Sequence, residues 1–349
     1  MKFLTKLALL TTAGVGITVL RRRLNPPLPY DFRGKSVLIT GGSRGLGLVL
    51  AREFAAEGAL LTLVARDGTE LEQARQELAA SGADVLAFTC DVRDEREAAL
   101  AVERAVARYG GIDVLVNNAG VIQAGPVEHM QTRDFEDALA THMWGPLYTM
   151  RAAAPHMRRQ RQGRIINIAS IGGKVAVPHL APYTTSKFAL AGLSDAMRAE
   201  LAKDGIHITT VFPGLMRTGS HFNALFKGQH KKEFTWFSLL DALPFSSIDA
   251  QSAAHQIIEA SRKGAPQLVI SFQAKALAWM SALLPGLTAR SLKLMNWFLP
   301  APANNGAGDQ NRSGWDSQSA LAPSVLTQLA DEATVENNGL HGRTAEAPL

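Results

Sequence analysis

A chain of 349 residues that is 46% hydrophobic and 19% charged has ample apolar surface for a core, which excludes wholesale disorder. Its single cysteine, Cys90, excludes an internal disulfide and a cysteine-based metal cluster, and it suits a reducing compartment. The net charge of +5 does not signal a nucleic-acid binder: Lys2, Lys6, Arg21, Arg22 and Arg23 supply much of it, the stretch from 301 onward is net acidic, and Arg158, Arg159, Arg161 and Arg164 end a helical pattern, where cations complement the helix dipole.

Residues 7–20 are apolar or weakly polar and lie between Lys6 and the Arg21, Arg22, Arg23 triplet. No small-residue cleavage pattern follows, so 1–24 reads as an uncleaved membrane anchor, with a cleaved signal or a surface or partner-packing helix as the alternatives. The cations after the apolar stretch favour a body on the cytoplasmic face. Residues 25–33, with Pro26, Pro27 and Pro29, form a stiff linker.

Beyond the linker, apolar β-branched runs alternate with helical patterns. The spacing predicts strands over 37–40, 59–65, 85–89, 112–116, 165–169, 206–212 and 267–271. Helices are predicted over 48–57, 69–80, 94–108, near 132–157, over 184–203 and near 250–262. Each strand is almost wholly apolar, as strands covered by helices on both faces are. The fold class is therefore α/β: a Rossmann-like, doubly wound parallel sheet of about seven strands in a single domain over 34–272. An apolar helical extension over 273–300 holds Trp279, Met280, Trp297 and Phe298 around Pro285 and Gly286. It reads as a lid or membrane-facing surface, or as two helices packed on the body or a sister subunit. The Asn-, Gly- and Ser-rich remainder, 301–349, reads as a flexible tail.

The segment Thr-Gly-Gly-Ser-Arg-Gly-Leu-Gly over 40–47 lies between a predicted strand and a predicted helix, the context that gives a glycine-rich loop meaning. Glycines let backbone N–H groups approach a pyrophosphate, and the following helix adds its positive dipole end. Gly41, Gly45 and Gly47 are assigned to a dinucleotide cofactor, with Ser43, Arg44 and Leu46 between them. About 20 residues on, the end of the second strand reads the adenosine ribose. Arg66 stands there, and with Arg44 it could match a 2′-phosphate, which favours NADP over NAD; Asp67 is the counter-evidence, because it could accept from a ribose hydroxyl.

Tyr183 and Lys187 open a helical pattern at a spacing that puts both on one face. A nearby ammonium and a cationic nicotinamide would lower the phenol toward neutral pH and let it exchange a proton with a substrate oxygen. Ser170 follows a strand at the sheet edge where open α/β folds bind ligands, so its hydroxyl can hold that oxygen.

Taken in order, these motifs resemble the short-chain dehydrogenase/reductase family over roughly residues 34–272. The family's glycine loop corresponds to 40–47, its acid after the third strand to Asp91, and its Asn-Asn-Ala-Gly segment to 117–120; Ser170 keeps the family's spacing of thirteen residues before Tyr183. The resemblance implies that Asp91, with Val92 beside it, contacts the adenine, and that Asn117 supports the cofactor site while Asn118, Ala119 and Gly120 line it. It also implies that Lys187 bonds the nicotinamide ribose, that Pro213, Gly214 and Thr218 embrace the nicotinamide, and that the chain forms a homodimer or homotetramer. One position departs from the pattern: the long helix carries His142 where the family usually has Asn, which holds a water on the path from the lysine to solvent. The relay could survive through the imidazole, or His142 could merely pack.

The expected reaction is hydride transfer between NADP and a carbonyl or secondary alcohol, with Ser170 orienting the oxygen, Tyr183 as acid/base and Lys187 tuning it. A non-catalytic, membrane-bound NADP-binding scaffold or redox sensor is the alternative. Phe222, Phe226, Phe234, Trp236, Phe237 and Phe245 in the substrate segment 215–247 suggest a bulky apolar substrate such as a steroid, retinoid or fatty carbonyl, or a lid over something small. No metal and no nucleic-acid partner is expected.

Overall fold

Seven parallel strands carry the architecture of the computed structural model, which describes residues 30–242, 247–304 and 306–340. They are β1 (Ser36–Thr40), β2 (Leu60–Ala65), β3 (Val85–Thr89), β4 (Val114–Asn117), β5 (Gly163–Ile168), β6 (Ile206–Pro213) and β7 (Gln267–Ile270). Across the sheet they run β3-β2-β1-β4-β5-β6-β7, with Thr40 in register with Val64 on one side and Asn117 on the other. By internal contacts, 32–349 form a unit separate from 1–31. The expected anchor, 1–24, lies outside the described residues, and no helix among the described residues is long and apolar enough to cross a membrane.

The crossovers are α1 (Gly45–Ala56), α2 (Gly68–Ala80), α3 (Glu95–Tyr109), α4 (Thr132–Leu139), α5 (Gly145–Gln160), α6 (Ala181–Leu201) and, after α7 (His230–Ala242), α8 (Ala250–Arg262). Local chemistry sets their ends. Asp67, Asp94 and Asp249 cap α2, α3 and α8 by accepting backbone N–H groups, and Gly110 closes α3 at a left-handed φ of 79°. Leu38 packs into a core with Leu115, Ile165, Met150 and Val102, beneath α3 and α5. Val37 and Ile39, buried as well, point by the pleat to the other layer, where α1 packs on α8.

The single helix expected near 132–157 is instead two, joined by a π-helical turn over Ala140–Trp144. Two residues account for the break. Pro146 has no N–H to continue the ladder, and at Gly145 a Cβ would lie 3.1 Å from the Val92 carbonyl oxygen, so a side chain there would have to displace its neighbour.

The tail also departs from expectation. Residues 301–349 read as flexible, yet 306–340 fold against the segment after β6, ending in α11 (Gln328–Glu336). Trp315 stacks on Phe222 at 4.2 Å, and Arg312–Ser313 pairs antiparallel with Leu225–Phe226. The polar composition that suggested disorder provides hydrogen bonds instead. His129 Nδ1 meets Asp309 at 2.8 Å while its Nε2 accepts the Ala303 N–H, and fully buried His221 lies between Asp241 (3.5 Å) and Asp331 (3.2 Å). Burial opposes charge on His221, but the two carboxylates outweigh it and raise its pKa.

A second buried pair ties this segment to α4: the Lys227 ammonium, wholly enclosed, donates to Asp134 at 2.5 Å and to the His129 carbonyl at 3.3 Å. Lys227→Met would leave a carboxylate buried without its cation and should destabilise the protein by about 3–5 kcal/mol in chemical denaturation. Adding Asp134→Asn, which keeps an acceptor for the Gln131 N–H, should recover part of that loss.

Candidate active site

Strand order reverses between β1 and β4, and a cavity of about 600 Å³ opens there, beyond the carboxyl ends of the strands. The buried Thr40 hydroxyl closes its floor, donating to the Val116 carbonyl (3.3 Å) and accepting the N–H groups of Asn118 (3.0 Å) and Ala119 (3.1 Å). Asn118 Nδ2 returns two bonds to the glycine loop, at the carbonyls of Thr40 and Gly41. Gly41 has φ +66°, and a Cβ there would lie 2.9 Å from Ala119 Cα. A Cβ at Gly47 would fall 2.0 Å from the Gly41 carbonyl oxygen. The loop is glycine-rich because backbone packs on backbone at both points, and the start of α1, Gly45 and Leu46, lines the cavity.

At one end of the cavity stand Arg44, Arg66, Asp67, Asp91 and Val92. Arg44 pairs with buried Glu70 at 2.8 Å, and Ser43 Oγ donates to the same carboxylate. Arg66 is exposed. Asp67 Oδ1 is committed to capping α2, accepting from Thr69 N (2.9 Å) and Glu70 N (3.0 Å). Burial pushes the Asp91 carboxyl up, but hydrogen bonds from Arg93 outweigh it and hold the carboxyl below its ordinary value.

At the other end, Ser170 follows β5 and its Oγ accepts the Gly172 N–H at 3.1 Å, opening a short 3-10 turn. Tyr183 and Lys187 occupy the first two turns of α6, after Pro182. Lys187 is buried and donates to the Ile168 carbonyl at 2.8 Å, with its Nζ 5.5 Å from the centre of the Tyr183 ring. Burial pushes Lys187 down to about 7. Tyr183 is pushed up by burial, against the opposing hydrogen bond with Ser170. The lowered phenol expected from the sequence is therefore not what the protein's own groups produce. A lysine near 7 carries only part of a charge at neutral pH, and desolvation prevails.

The cavity also brings in Gly41, Gly45, Leu46, Gly120, Pro213, Gly214 and Thr218, so both expected halves of the site converge. Asn117 is not on the wall. It belongs to a buried network in which its Nδ2 donates to Asn167, Asn167 donates to Ser194, and Thr149 donates to Asn117, locking β4, β5, α5 and α6 together. His142, set by the π turn, has both ring nitrogens engaged: Nε2 accepts the Val121 N–H (3.1 Å), and Nδ1 donates to Ser186 Oγ (2.7 Å), whose proton goes to the Tyr183 carbonyl. Burial, then the Lys187 charge, hold this imidazole neutral and well below its ordinary pKa. In this arrangement it offers no ring nitrogen to a proton chain.

The aromatic residues expected over a substrate sit elsewhere. Phe222, Phe226 and Phe234 are buried in their own cluster with Phe237 and Trp315, and Phe245 lies outside the described residues. The cavity wall instead carries Val121, Ile122, Met216, Ser220 and Asn223. The sequence reading also missed the tail's hold on the glycine loop: the Asn337 carbonyl accepts the Gly45 N–H at 2.9 Å, and Asn338 Nδ2 donates to the carbonyls of Ser43 and Glu70. No local pattern marks those asparagines, which lie almost 300 residues from the loop they hold.

The cavity fits a dinucleotide by its size and by its donors: cations at one end, helix amides in the middle, and a hydroxyl, a phenol and an amine at the other. Comparison with known proteins agrees. A family model described as short chain dehydrogenase matches residues 35–225. Dehydrogenase/reductase SDR family member 7B of Bos taurus is 32% identical over 265 residues, which are 74% of this chain and 80% of that protein. The CLA biosynthesis dehydrogenase/reductase of Lactiplantibacillus plantarum is 36% identical over 191 residues, 54% of this chain and 67% of that one. The crystal structure of a short-chain dehydrogenase from Streptomyces avermitilis superposes with a TM-score of 0.62 at 29% identity, covering 75% of this chain and 97% of that one.

The buried lysine makes stability depend on pH with a definite sign. Its folded pKa, about 7, lies below the ordinary 10.5, so the cost of burying the ammonium is fully present below 7 and is relieved as pH rises toward the unfolded value. Between pH 7 and roughly pH 9, the wild-type chain should gain about 2 kcal/mol of unfolding free energy relative to Lys187→Met, as read by denaturant titration at the two pH values.

Proposed function

The chain belongs to the short-chain dehydrogenase/reductase family and is an NAD(P)-dependent oxidoreductase, and on that premise we propose that it reduces a ketone or aldehyde with NADPH, Tyr183 being the proton donor. The observation that carries this reading is the meeting of Ser170, Tyr183 and Lys187 at one end of a dinucleotide-sized cavity whose other end holds Arg44 and Arg66.

The preference for NADP is supported by those two arginines and by Asp67, whose Oδ1 is taken up by the α2 cap. When bound, the coenzyme would supply the hydride for the carbonyl carbon. Ser170 holds the carbonyl oxygen, and Tyr183, a phenol kept protonated by burial, passes its proton to that oxygen as the hydride arrives. The Lys187 ammonium, held by the Ile168 carbonyl, then stabilises the phenolate left behind. Reduction suits such a phenol better than oxidation, which would need a base at the start. His142 acts by position: through Val121 and Ser186 it ties the segment after β4 to the first turn of α6, where Tyr183 sits.

Val121, Ile122 and Met216 on the cavity wall support a carbonyl with an apolar substituent; the buried aromatic cluster no longer contributes to that argument. Trp144 and Phe188, each 44% exposed, are apolar surface available to the homodimer or homotetramer that goes with the family. Attachment through 1–24, with the body facing the cytoplasm, remains part of this proposal.

Tyr183→Phe should lower NADPH-dependent reduction across a panel of ketones and aldehydes by two or more orders of magnitude, with coenzyme binding, followed by nicotinamide fluorescence, nearly unchanged. Comparable turnover by the variant would remove Tyr183 as donor, and a wild-type chain that binds NADPH but turns over no carbonyl would favour a scaffold. Arg44→Ala with Arg66→Ala should weaken NADPH binding far more than NADH binding; equal losses would show that these arginines do not read the 2′-phosphate.

A further inference from the structure

We propose that the helical hairpin formed by α9 (Phe272–Leu283) and α10 (Pro285–Phe298) is a docking face for an anionic lipid surface. The hairpin hardly engages the body. Of the residues in its two helices only Ala274 and Thr288 are buried, while Phe272 is 81% exposed, Trp279 65%, Trp297 80% and Phe298 66%. Helical geometry orders this exposure. In α9, Phe272, Trp279 and Leu283 recur at i, i+7 and i+11, and in α10, Leu287, Leu294 and Phe298 repeat the same spacing, so each helix carries one apolar stripe. A contiguous apolar surface of this kind marks an interaction site on a folded protein.

Charge selects the occupant. Lys275, Arg290 and Lys293 are the only charged residues between 271 and 300. A second copy meeting this face across a twofold axis would bring those three cations against the same three, with no acid on the hairpin to answer them. Anionic headgroups answer all three, and two tryptophans among cations are the side chains that settle at the headgroup level. Length points the same way. Helices of 12 and 14 residues are well short of the roughly 20 needed to span a bilayer, so they lie in the interface.

The face continues past the hairpin. Between its end and α7 runs a groove of about 500 Å³, lined by Trp236, Leu239, Phe298 and Leu321 together with Lys231 and Lys232. Apolar and cationic side chains are thus combined again on the neighbouring element.

The test uses the full chain and vesicles of phosphatidylcholine with or without phosphatidylglycerol, a fraction of the lipid being brominated. Because the readout is local, attachment through 1–24 cannot imitate it. Phosphatidylglycerol vesicles should quench tryptophan fluorescence and slow deuterium exchange over 272–298. Quenching should fall several-fold in Trp279→Phe/Trp297→Phe and in Lys275→Glu/Arg290→Glu/Lys293→Glu, with carbonyl reduction in vesicle-free solution unchanged. Absence of exchange protection on the wild-type hairpin would overturn the proposal, as would equal quenching with neutral and anionic vesicles. Protection that appears without lipid and rises with protein concentration would also overturn it, assigning the face to a second copy of the chain.

Discussion

The reversal of strand order at the β1–β4 pair is the constraint from which the rest of the site follows. The chain adds further strands on opposite sides of this pair, so the loops leaving β1 and β4 diverge and expose both strand ends. One hydroxyl joins the diverging loops. Thr40 accepts two amides from the segment after β4 while donating into β4 itself, and Asn118 answers with two bonds to the loop after β1. With the two loops fixed to each other, the glycines can bring backbone against backbone, and the N-terminus of α1 lines the cavity. A looser join would leave the glycine loop and the Tyr183 end of the cavity without a fixed distance between them.

Burial governs the titration of the groups at the Tyr183 end of the cavity. Three titratable groups share a small volume, and desolvation drives each toward its neutral form: Tyr183 up, Lys187 down, His142 down. The protein tolerates this because each has partners. Lys187 has the Ile168 carbonyl, His142 has Val121 and Ser186, and Tyr183 has Ser170. Beneath them, Asn117, Asn167, Ser194 and Thr149 satisfy one another among the strands and helices, so the scaffold under the site is polar and rigid together.

A second core, remote in sequence, completes the enclosure. The segment after β6 cannot bury its phenylalanines alone; Trp315 and the chain around it cover them, and buried His221 and Lys227 join tail, segment and α4 through ionic contacts. The same tail reaches the glycine loop through Asn337 and Asn338, so the reading of 301 onward as a loose end fails where its polar side chains find fixed partners.

The sequence by itself determined the sheet and the cast of the site. Apolar β-branched runs and glycine-ended helices are local signals, and all seven strands fall within a few residues of where periodicity predicts them. Ser170, Tyr183, Lys187 and the glycine loop stood out because their order and spacing resemble those of the short-chain dehydrogenase/reductase family, and the fold brings them to the wall of one cavity. Tertiary structure alone decided the π turn that sets His142, the direction in which Tyr183 and Lys187 are shifted, the burial of the aromatic residues after β6 and the docking of the tail. Each of these depends on contacts between residues far apart in the chain. Desolvation and hydrogen bonding act through the neighbours that the fold supplies, and one-dimensional spacing carries no record of those neighbours.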